Sequence, residues 1–254
     1  MNLHDKKILI FGASGLLGSV LVKKLLSAGA KVIAADLDLM RLEKKFEDLE
    51  NSGADQSLNL CKIDITKETE LKTLFDEVYD LTGTVNCSYP RNSTYGNKFY
   101  DVSLESFNEN ISLNIGSSFA IMKYCALYFK KTKKPFSLVN ISSIYGVVSP
   151  KFNIYENTSM TMPVEYSAIK SSLIHLSKYV TKYVSDSRFR VNLVSPGGII
   201  DGQPEEFLRA YSKETFGQGM LDSEDVVDSI IFLLSDASKF INGQNIIIDD
   251  GFSL

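Results

Sequence analysis

The feature that most constrains the fold of this chain is a regular alternation of short β-branched runs with amphipathic segments of helix length. Most of the short runs are apolar throughout, which is typical of strands covered on both faces. Strands are predicted at 7–11, 31–36, 58–64, 84–87, 137–142, 190–195 and 245–249. Helices are predicted between them at about 16–28, 38–52, 67–80, 104–130, 164–185 and 223–234. This order predicts one α/β domain over residues 1–254, a Rossmann fold with a doubly wound, seven-stranded parallel sheet and helices on both faces.

Composition narrows the classes of function. The 27 Lys plus Arg and 31 Asp plus Glu are scattered and leave a net charge of −4, so no basic stripe is available for nucleic acid. No window reaches the roughly 18 apolar residues of a membrane span, and no signal peptide is apparent. Three widely spaced cysteines and two histidines predict neither a disulfide framework nor a metal site. We expect a cytoplasmic protein that acts on a small molecule and binds no nucleic acid, membrane or metal.

A glycine-rich turn follows the first predicted strand. Gly12, Gly15 and Gly18 lie where the backbone can approach a pyrophosphate, which the next helix N-terminus favours. The second strand ends at Asp36, eighteen residues after Gly18, where a carboxylate accepts hydrogen bonds from adenosine ribose and repels a 2′-phosphate. Neither Ser14 nor Leu37 offers a compensating positive charge, so NAD(H) is favoured over NADP(H). The alternative is a tight turn without ligand, with Asp36 capping the next helix.

A tyrosine and a lysine begin the fifth predicted helix. Tyr166 and Lys170 are four residues apart and therefore share one helix face. A nearby ammonium lowers the pKa of tyrosine from about 10, so that tyrosine can exchange a proton with a substrate oxygen. The pair alone is common in helices, but Ser143 follows a predicted strand and could hold that oxygen. Residues 194–199 close the next strand with Pro196 and Gly197, which let the backbone pass close to nicotinamide.

Together these motifs resemble the short-chain dehydrogenase/reductase family over nearly the whole chain, including the ending Asn242-Gly243-Gln244 and Asp249-Asp250-Gly251. The resemblance implies that Ser143, Tyr166 and Lys170 act together with Asn114, which would kink its helix and bind a water of the proton relay. Asp64 would accept from the adenine amino group, or else only cap the helix after Thr66. The predicted cofactor-binding residues are Gly12, Ser14, Gly15, Leu16, Leu17, Gly18, Asp36, Asp64, Ile65, Asn86, Tyr166, Lys170, Pro196, Gly197 and Ile199.

The chain departs from that family where substrate would bind. The stretch Asn86-Cys87-Ser88-Tyr89 replaces the usual Asn-Asn-Ala-Gly, and the interval from Ser143 to Tyr166 is longer than usual. We predict a substrate loop at 147–165 and a mobile lid at 201–220. Arg91 could bind an anionic group of the substrate, or it could be a surface or cofactor-loop arginine. Tyr145, Tyr155, Glu156 and Asn157 are predicted to bind sugar hydroxyls, with loop packing as the alternative.

These peculiar segments resemble the flagellin-modification type of short-chain dehydrogenase, found in bacterial pathways to legionaminic-acid-like sugars. The resemblance implies an NAD(H)-dependent oxidoreductase acting on a hydroxyl or carbonyl of an amino-sugar or sugar-phosphate in surface-glycan or flagellin-glycan biosynthesis. The alternatives are a reductase of 3-oxoacyl thioesters or small ketones, and a non-catalytic dinucleotide-binding sensor or scaffold. The long helices at 104–130 and 164–185 resemble those through which the family assembles, so we expect a homo-oligomer, either a dimer or a homotetramer.

Overall fold

The sheet is parallel throughout and contains the seven strands expected from the sequence. The computed structural model describes residues 3–51 and 57–254. Within them the strands are β1 (Lys7–Phe11), β2 (Lys31–Asp36), β3 (Leu58–Lys62), β4 (Gly83–Asn86), β5 (Phe136–Ile141), β6 (Phe189–Pro196) and β7 (Asn245–Ile248). Their order in the sheet is β3-β2-β1-β4-β5-β6-β7. The predicted Rossmann-like fold is thereby confirmed, although β3 ends before residue 64 because Asp64 turns the chain through hydrogen bonds with Thr66.

The helices lie on both faces of this sheet. They are α1 (Leu16–Ser27), α2 (Leu39–Asn51), α3 (Glu68–Glu77), α4 (Leu104–Ile111), α5 (Ser117–Thr132), α6 (Val164–Val184), α7 (Glu205–Ser212) and α8 (Ser223–Leu234). The predicted end of the second helix, at residue 52, lies outside the described residues. The helix predicted at 104–130 is interrupted by a π-helical turn at Ser112–Gly116, which separates α4 from α5 and contains Asn114, the residue expected to kink it.

Two apolar layers explain why the strands are mostly apolar on both faces. Alternate residues of a strand point to opposite faces. In β1, Ile8 and Ile10 pack in the layer beneath α1 and α8, whereas Leu9 and Phe11 pack in the layer beneath α3, α5 and α6. Burying one such side chain stabilises the fold by about 1.5–3 kcal/mol.

The direction of winding reverses at β1, which pairs with β2 on one side and β4 on the other. At such a switch point the loops after the strands diverge and leave a crevice at the carboxyl ends. This crevice fixes where a ligand would bind. Among the residues described, the helices include none that is both long enough and apolar enough to cross a membrane.

Candidate active site

One cleft of about 910 Å³ runs along the carboxyl ends of the strands. It is lined from the loops after β1 to β6, and so it spans the switch point between β1 and β4. The predicted site residues that it brings together are Gly12, Ser14, Gly15, Leu16, Leu17, Asp36, Asp64, Ile65, Arg91, Ser143, Tyr145, Tyr155, Tyr166, Lys170, Pro196, Gly197 and Ile199. The remaining predicted residues, Gly18, Asn86, Asn114, Glu156 and Asn157, do not line it.

The glycine turn is packed too tightly for side chains. Gly12 has a φ of +73°, and a Cβ there would lie 2.8 Å from the backbone of Ser88. A Cβ on Gly18 would lie 2.2 Å from the carbonyl oxygen of Gly12, so Gly18 acts by letting α1 approach the turn. Gly15 caps α1 without a side-chain hydrogen bond, which leaves the helix N-terminus to face the cleft. This cradle of bare backbone fits a pyrophosphate.

Asp36 joins the glycine turn to the end of β2. One carboxylate oxygen accepts hydrogen bonds from the N–H and the hydroxyl of Ser14, at 2.9 and 2.8 Å. The other accepts from the N–H of Leu37 at 2.8 Å. Arg41, in the first turn of α2, lines the same end of the cleft. Sequence reasoning missed this cation because it compared Ser14 and Leu37 only, although Arg41 lies just one turn further along the chain.

Asp64 lines the cleft and also caps the turn that follows β3. Its Oδ1 accepts from the N–H and hydroxyl of Thr66 at 3.0 and 2.6 Å, and Lys67 lies 3.4 Å from Oδ2. Partial burial raises the pKa of Asp64, but the Thr66 and Lys67 contacts outweigh it and lower the pKa overall. Asp64 therefore caps this turn, and its place in the lining of the cleft leaves the adenine interpretation as a prediction.

Tyr166, Lys170 and Ser143 meet in the middle of the cleft. α6 begins after Pro163, so its first turns present Tyr166 and Lys170 to the cleft, while Ser143 follows β5. Burial raises the pKa of Tyr166, and a hydrogen bond with Ser143 opposes that shift. The Nζ of Lys170 donates to the carbonyl oxygen of Ile141 at 2.8 Å and lies 5.4 Å from the ring centroid of Tyr166. Burial lowers the pKa of Lys170 to about 8.

Two buried asparagines support the floor of the cleft. Asn114 lies in the π-helical turn, and its amide donates to the carbonyl oxygens of Pro90 and Asn110, the latter at 3.1 Å. Asn86 donates to Ser118 at 3.2 Å and accepts from the N–H of Ser88 at 3.2 Å. Both side chains thus hold the loop after β4 that forms one wall of the cleft.

Aromatic rings and methionines form the end of the cleft beyond Ser143. Tyr145 and Tyr155 are joined by their hydroxyls at 3.3 Å, and the ring of Tyr155 packs on Phe207 at 5.1 Å. The other lining residues of this end include Met160, Met162, Tyr211 and Met220. Glu156 and Asn157 are exposed, because the short helix Phe152–Tyr155 ends before them and Asn157 has a φ of +61° that turns the chain outward.

The predicted lid contains helix α7, which sequence reasoning missed. Pro204 at the N-cap, acidic residues in the first turn and the spacing of Phe207 and Tyr211 are the signals that could have found it. Lys151 of the substrate loop pairs with Glu214 of the lid at 2.9 Å and donates to the carbonyl oxygen of Phe252 at 2.9 Å. Three distant segments of the chain thereby close over the aromatic end.

The chain is similar over its whole length to known dehydrogenases. Residues 12–253 match the family described as Enoyl-(Acyl carrier protein) reductase. The chain is 37% identical to the "Post-translational flagellin modification protein A" of Campylobacter coli, over 99% of this chain and 100% of that protein. It is 26% identical to a 7alpha-hydroxysteroid dehydrogenase of Bacteroides fragilis, over 100% of this chain and 97% of that protein. A short chain dehydrogenase from Leptospira borgpetersenii, solved with bound NAD+, has a TM-score of 0.87 and 31% identity, covering 100% of this chain and 94% of that one.

Proposed function

We propose that this chain interconverts a hydroxyl and a carbonyl on a sugar-like metabolite with NAD(H). The chain belongs to the short-chain dehydrogenase/reductase family of oxidoreductases acting on CH–OH groups. The substrate class proposed is an amino-sugar or a sugar-phosphate of bacterial surface-glycan or flagellin-glycan biosynthesis. The observation that carries this proposal is the meeting of Tyr166, Lys170 and Ser143 in a cleft whose far end is aromatic. The name of the Campylobacter coli relative supports the glycan role.

The three polar side chains divide the proton chemistry between them. In the direction of reduction, the hydroxyl of Tyr166 gives its proton to the substrate oxygen. The hydroxyl of Ser143, which bonds to Tyr166 in this structure, holds that substrate oxygen in place. The ammonium of Lys170, 5.4 Å from the ring of Tyr166, stabilises the phenolate that remains. When bound, NAD(H) supplies or accepts the hydride. In the direction of oxidation Tyr166 takes the proton back.

The adenosine end supports NAD(H) over NADP(H). The carboxylate of Asp36 is fixed by Ser14 and Leu37, so that it faces the ribose position and disfavours a 2′-phosphate there. Arg41 is the cation that could offset this effect. We propose that the carboxylate of Asp36 determines the cofactor preference. Three hydrogen bonds hold it in place, whereas the side chain of Arg41 is exposed to solvent.

The far end of the cleft suits a sugar that carries an anionic group. Aromatic faces such as Tyr155 and Phe207 pack against the C–H faces of a pyranose, and the hydroxyls of Tyr145 and Tyr155 can bond its oxygens. Arg91 is exposed at the rim, with its guanidinium 5.9 Å from the ring of Tyr95. A planar donor fork at that place suits a phosphate or a carboxylate of the substrate.

The test is turnover on a panel of keto- and hydroxy-sugars, free, phosphorylated and nucleotide-linked, with both cofactors. Tyr166→Phe keeps the ring but removes the proton donor, so we expect turnover to fall about 10²–10⁴-fold while NADH binding, followed by fluorescence, is retained. Turnover unchanged in Tyr166→Phe would contradict the catalytic assignment. Turnover on 3-oxoacyl thioesters instead of sugars would favour the reductase alternative, and binding without any turnover would favour a sensor or scaffold.

We further propose that the chain forms a homo-oligomer, a dimer or a tetramer, through α4, α5 and α6. These helices expose large apolar side chains on their outer faces, namely Leu104, Phe119, Leu127, Tyr179 and Tyr183. An exposed apolar surface of this kind is typical of an interface between copies. Light scattering tests the proposal, and a mass near the 28.3 kDa of one chain would refute it.

A further inference from the structure

We infer that the ring of Tyr89 is a positioning group of the catalytic centre, which holds the ammonium of Lys170 against its face and keeps it charged beside Tyr166. The inference rests on the proposed function for its catalytic meaning. The charge state of Lys170 can nevertheless be measured without any turnover. Tyr89 is also a residue to which the motif analysis gave no role.

Tyr89 stands between the two catalytic side chains. Its ring centroid lies 5.4 Å from that of Tyr166, edge to face at 63°. The Nζ of Lys170 lies 4.8 Å from the Tyr89 centroid, against 5.4 Å from the Tyr166 centroid. The ammonium is therefore closer to Tyr89 than to the ring whose phenolate it is proposed to stabilise.

The position of the Tyr89 ring is set by its own loop. Its hydroxyl donates to that of Tyr95 at 3.0 Å, and the two rings meet edge to face with centroids 5.6 Å apart. The loop is in turn fastened to α4, since the N–H of Asn92 donates to the side chain of Asn110 at 3.1 Å. A ring held at both ends presents a constant face to Lys170.

That face matters because Lys170 has few other partners. The side chain is only 6% exposed, and among the described residues no carboxylate forms an ion pair with it. Within the described part of the chain, its ammonium donates a hydrogen bond to the carbonyl oxygen of Ile141. The negative face of an aromatic ring attracts an ammonium most strongly where water is excluded. Tyr89 is therefore a main source of stabilisation for the charged form.

The titratable neighbours keep their protons. Cys87 and Tyr89 approach Lys170 from the loop after β4, and Tyr166 approaches from α6. Burial raises the pKa of Cys87 to about 12 and raises the pKa of Tyr89 still further above its ordinary value. Around neutral pH the face of Tyr89 thus remains that of a neutral phenol. Burial lowers the pKa of Lys170 to about 8, so a further fall of about 1 unit would leave the side chain about half neutral at pH 7.

The experiment follows the ε-carbon of Lys170 by NMR in the full-length protein labelled with ¹³C-lysine, with the signal assigned through Lys170→Met. In Tyr89→Leu we expect the Lys170 pKa to fall by about 0.5–1 unit. In Tyr89→Phe the ring remains, and the pKa should stay within about 0.2 unit of wild type by the same reasoning. Tyr100→Leu, at a side chain that is 95% exposed, is the control for loss of a tyrosine elsewhere.

Activity gives the second readout. The kcat of Tyr89→Leu should decline at a pH about 0.5–1 unit lower than that of wild type, with little change in cofactor KM. An unchanged Lys170 pKa in folded Tyr89→Leu would overturn the inference. If Tyr89→Leu does not fold, Tyr95→Leu provides the alternative test, because it removes the hydrogen bond that supports the Tyr89 ring. The pKa of Lys170 should then also fall, and an unchanged pKa in Tyr95→Leu would refute the inference. Absence of turnover on every sugar would refute the proposed function. The NMR measurement of the Lys170 pKa would still decide whether the ring of Tyr89 keeps that ammonium charged.

Discussion

Replacing Gly18 with alanine tests whether the glycine turn is a pyrophosphate cradle. The new Cβ would lie 2.2 Å from the carbonyl oxygen of Gly12 and 3.0 Å from the Cα of Ala13, both of them backbone atoms. The turn and α1 must therefore move apart. Overpacking of this kind costs about 1–3 kcal/mol of folding free energy, or about 2–10 °C in Tm for a domain of this size. A displaced N–H that no longer reaches a phosphate oxygen costs about 1.5–3 kcal/mol of binding, which weakens NADH binding about 10- to 150-fold.

NADH fluorescence titration and thermal unfolding measure the two effects separately. Gly116→Ala is the matched control, because Gly116 is in helical conformation and a Cβ there has no heavy atom within 4 Å. That variant should bind NADH like wild type and be equally or slightly more stable, by about 0.4–1 kcal/mol. A Gly18→Ala protein that binds NADH with unchanged affinity would refute the proposal that the turn cradles the cofactor.

Three further predictions concern charged groups. Asp36→Ala removes the carboxylate proposed to face the ribose. The ratio of kcat/KM for NADP+ to kcat/KM for NAD+ should then rise about tenfold or more. An unchanged ratio would contradict the proposed preference for NAD(H). Lys151→Met removes the link to Glu214 and should speed protease cleavage within residues 201–220. Because Lys151 lowers the pKa of Glu214, the wild-type protein should lose its protection against the protease as the pH falls below about 4.5. Equal cleavage rates of wild type and Lys151→Met at pH 7 would refute the role of the link. The pKa of Lys170 is about 8 when folded and about 10.5 when unfolded, so the unfolded chain binds more protons between these values and stability should rise with pH there. In urea unfolding, the free energy of unfolding should rise less steeply over pH 8–10 in Lys170→Met than in wild type. An equal slope in the two proteins would contradict the lowered pKa of Lys170.

The fold could be predicted because its determinants are local in the sequence. Strands covered on both faces must be mostly apolar, and the four residues 8–11 of β1 show this before any contact is known. The break between α4 and α5 has no such local signal in the apolar pattern, and only the family resemblance pointed to a kink at Asn114. Hydrophobic periodicity continues across Ser112–Gly116, whereas the π-helical turn depends on Asn114 reaching Pro90, a contact made only in the folded chain.

The position of most of the proposed cofactor-binding residues along the cleft could also be predicted, because they lie at the ends of strands that must converge. Gly12 and Asp64 follow strands, Asp36 is the last residue of one, and all three line the cleft. Arg41 was missed because it projects from a helix, where the sequence does not say which side chains face a neighbouring loop.

The substrate half depends on contacts between segments that are distant in the chain. Lys151 joins the substrate loop to Glu214 and to Phe252, and the ring of Tyr155 packs on Phe207 of α7. Which loop residues face the cleft is therefore decided by α7 and the last residues of the chain, and Glu156 points away although its neighbour Tyr155 points in. None of these three segments contributes to the glycine turn or to the ribose position. Changes in the substrate loop or lid can therefore alter the far end of the cleft without altering the glycine turn or Asp36.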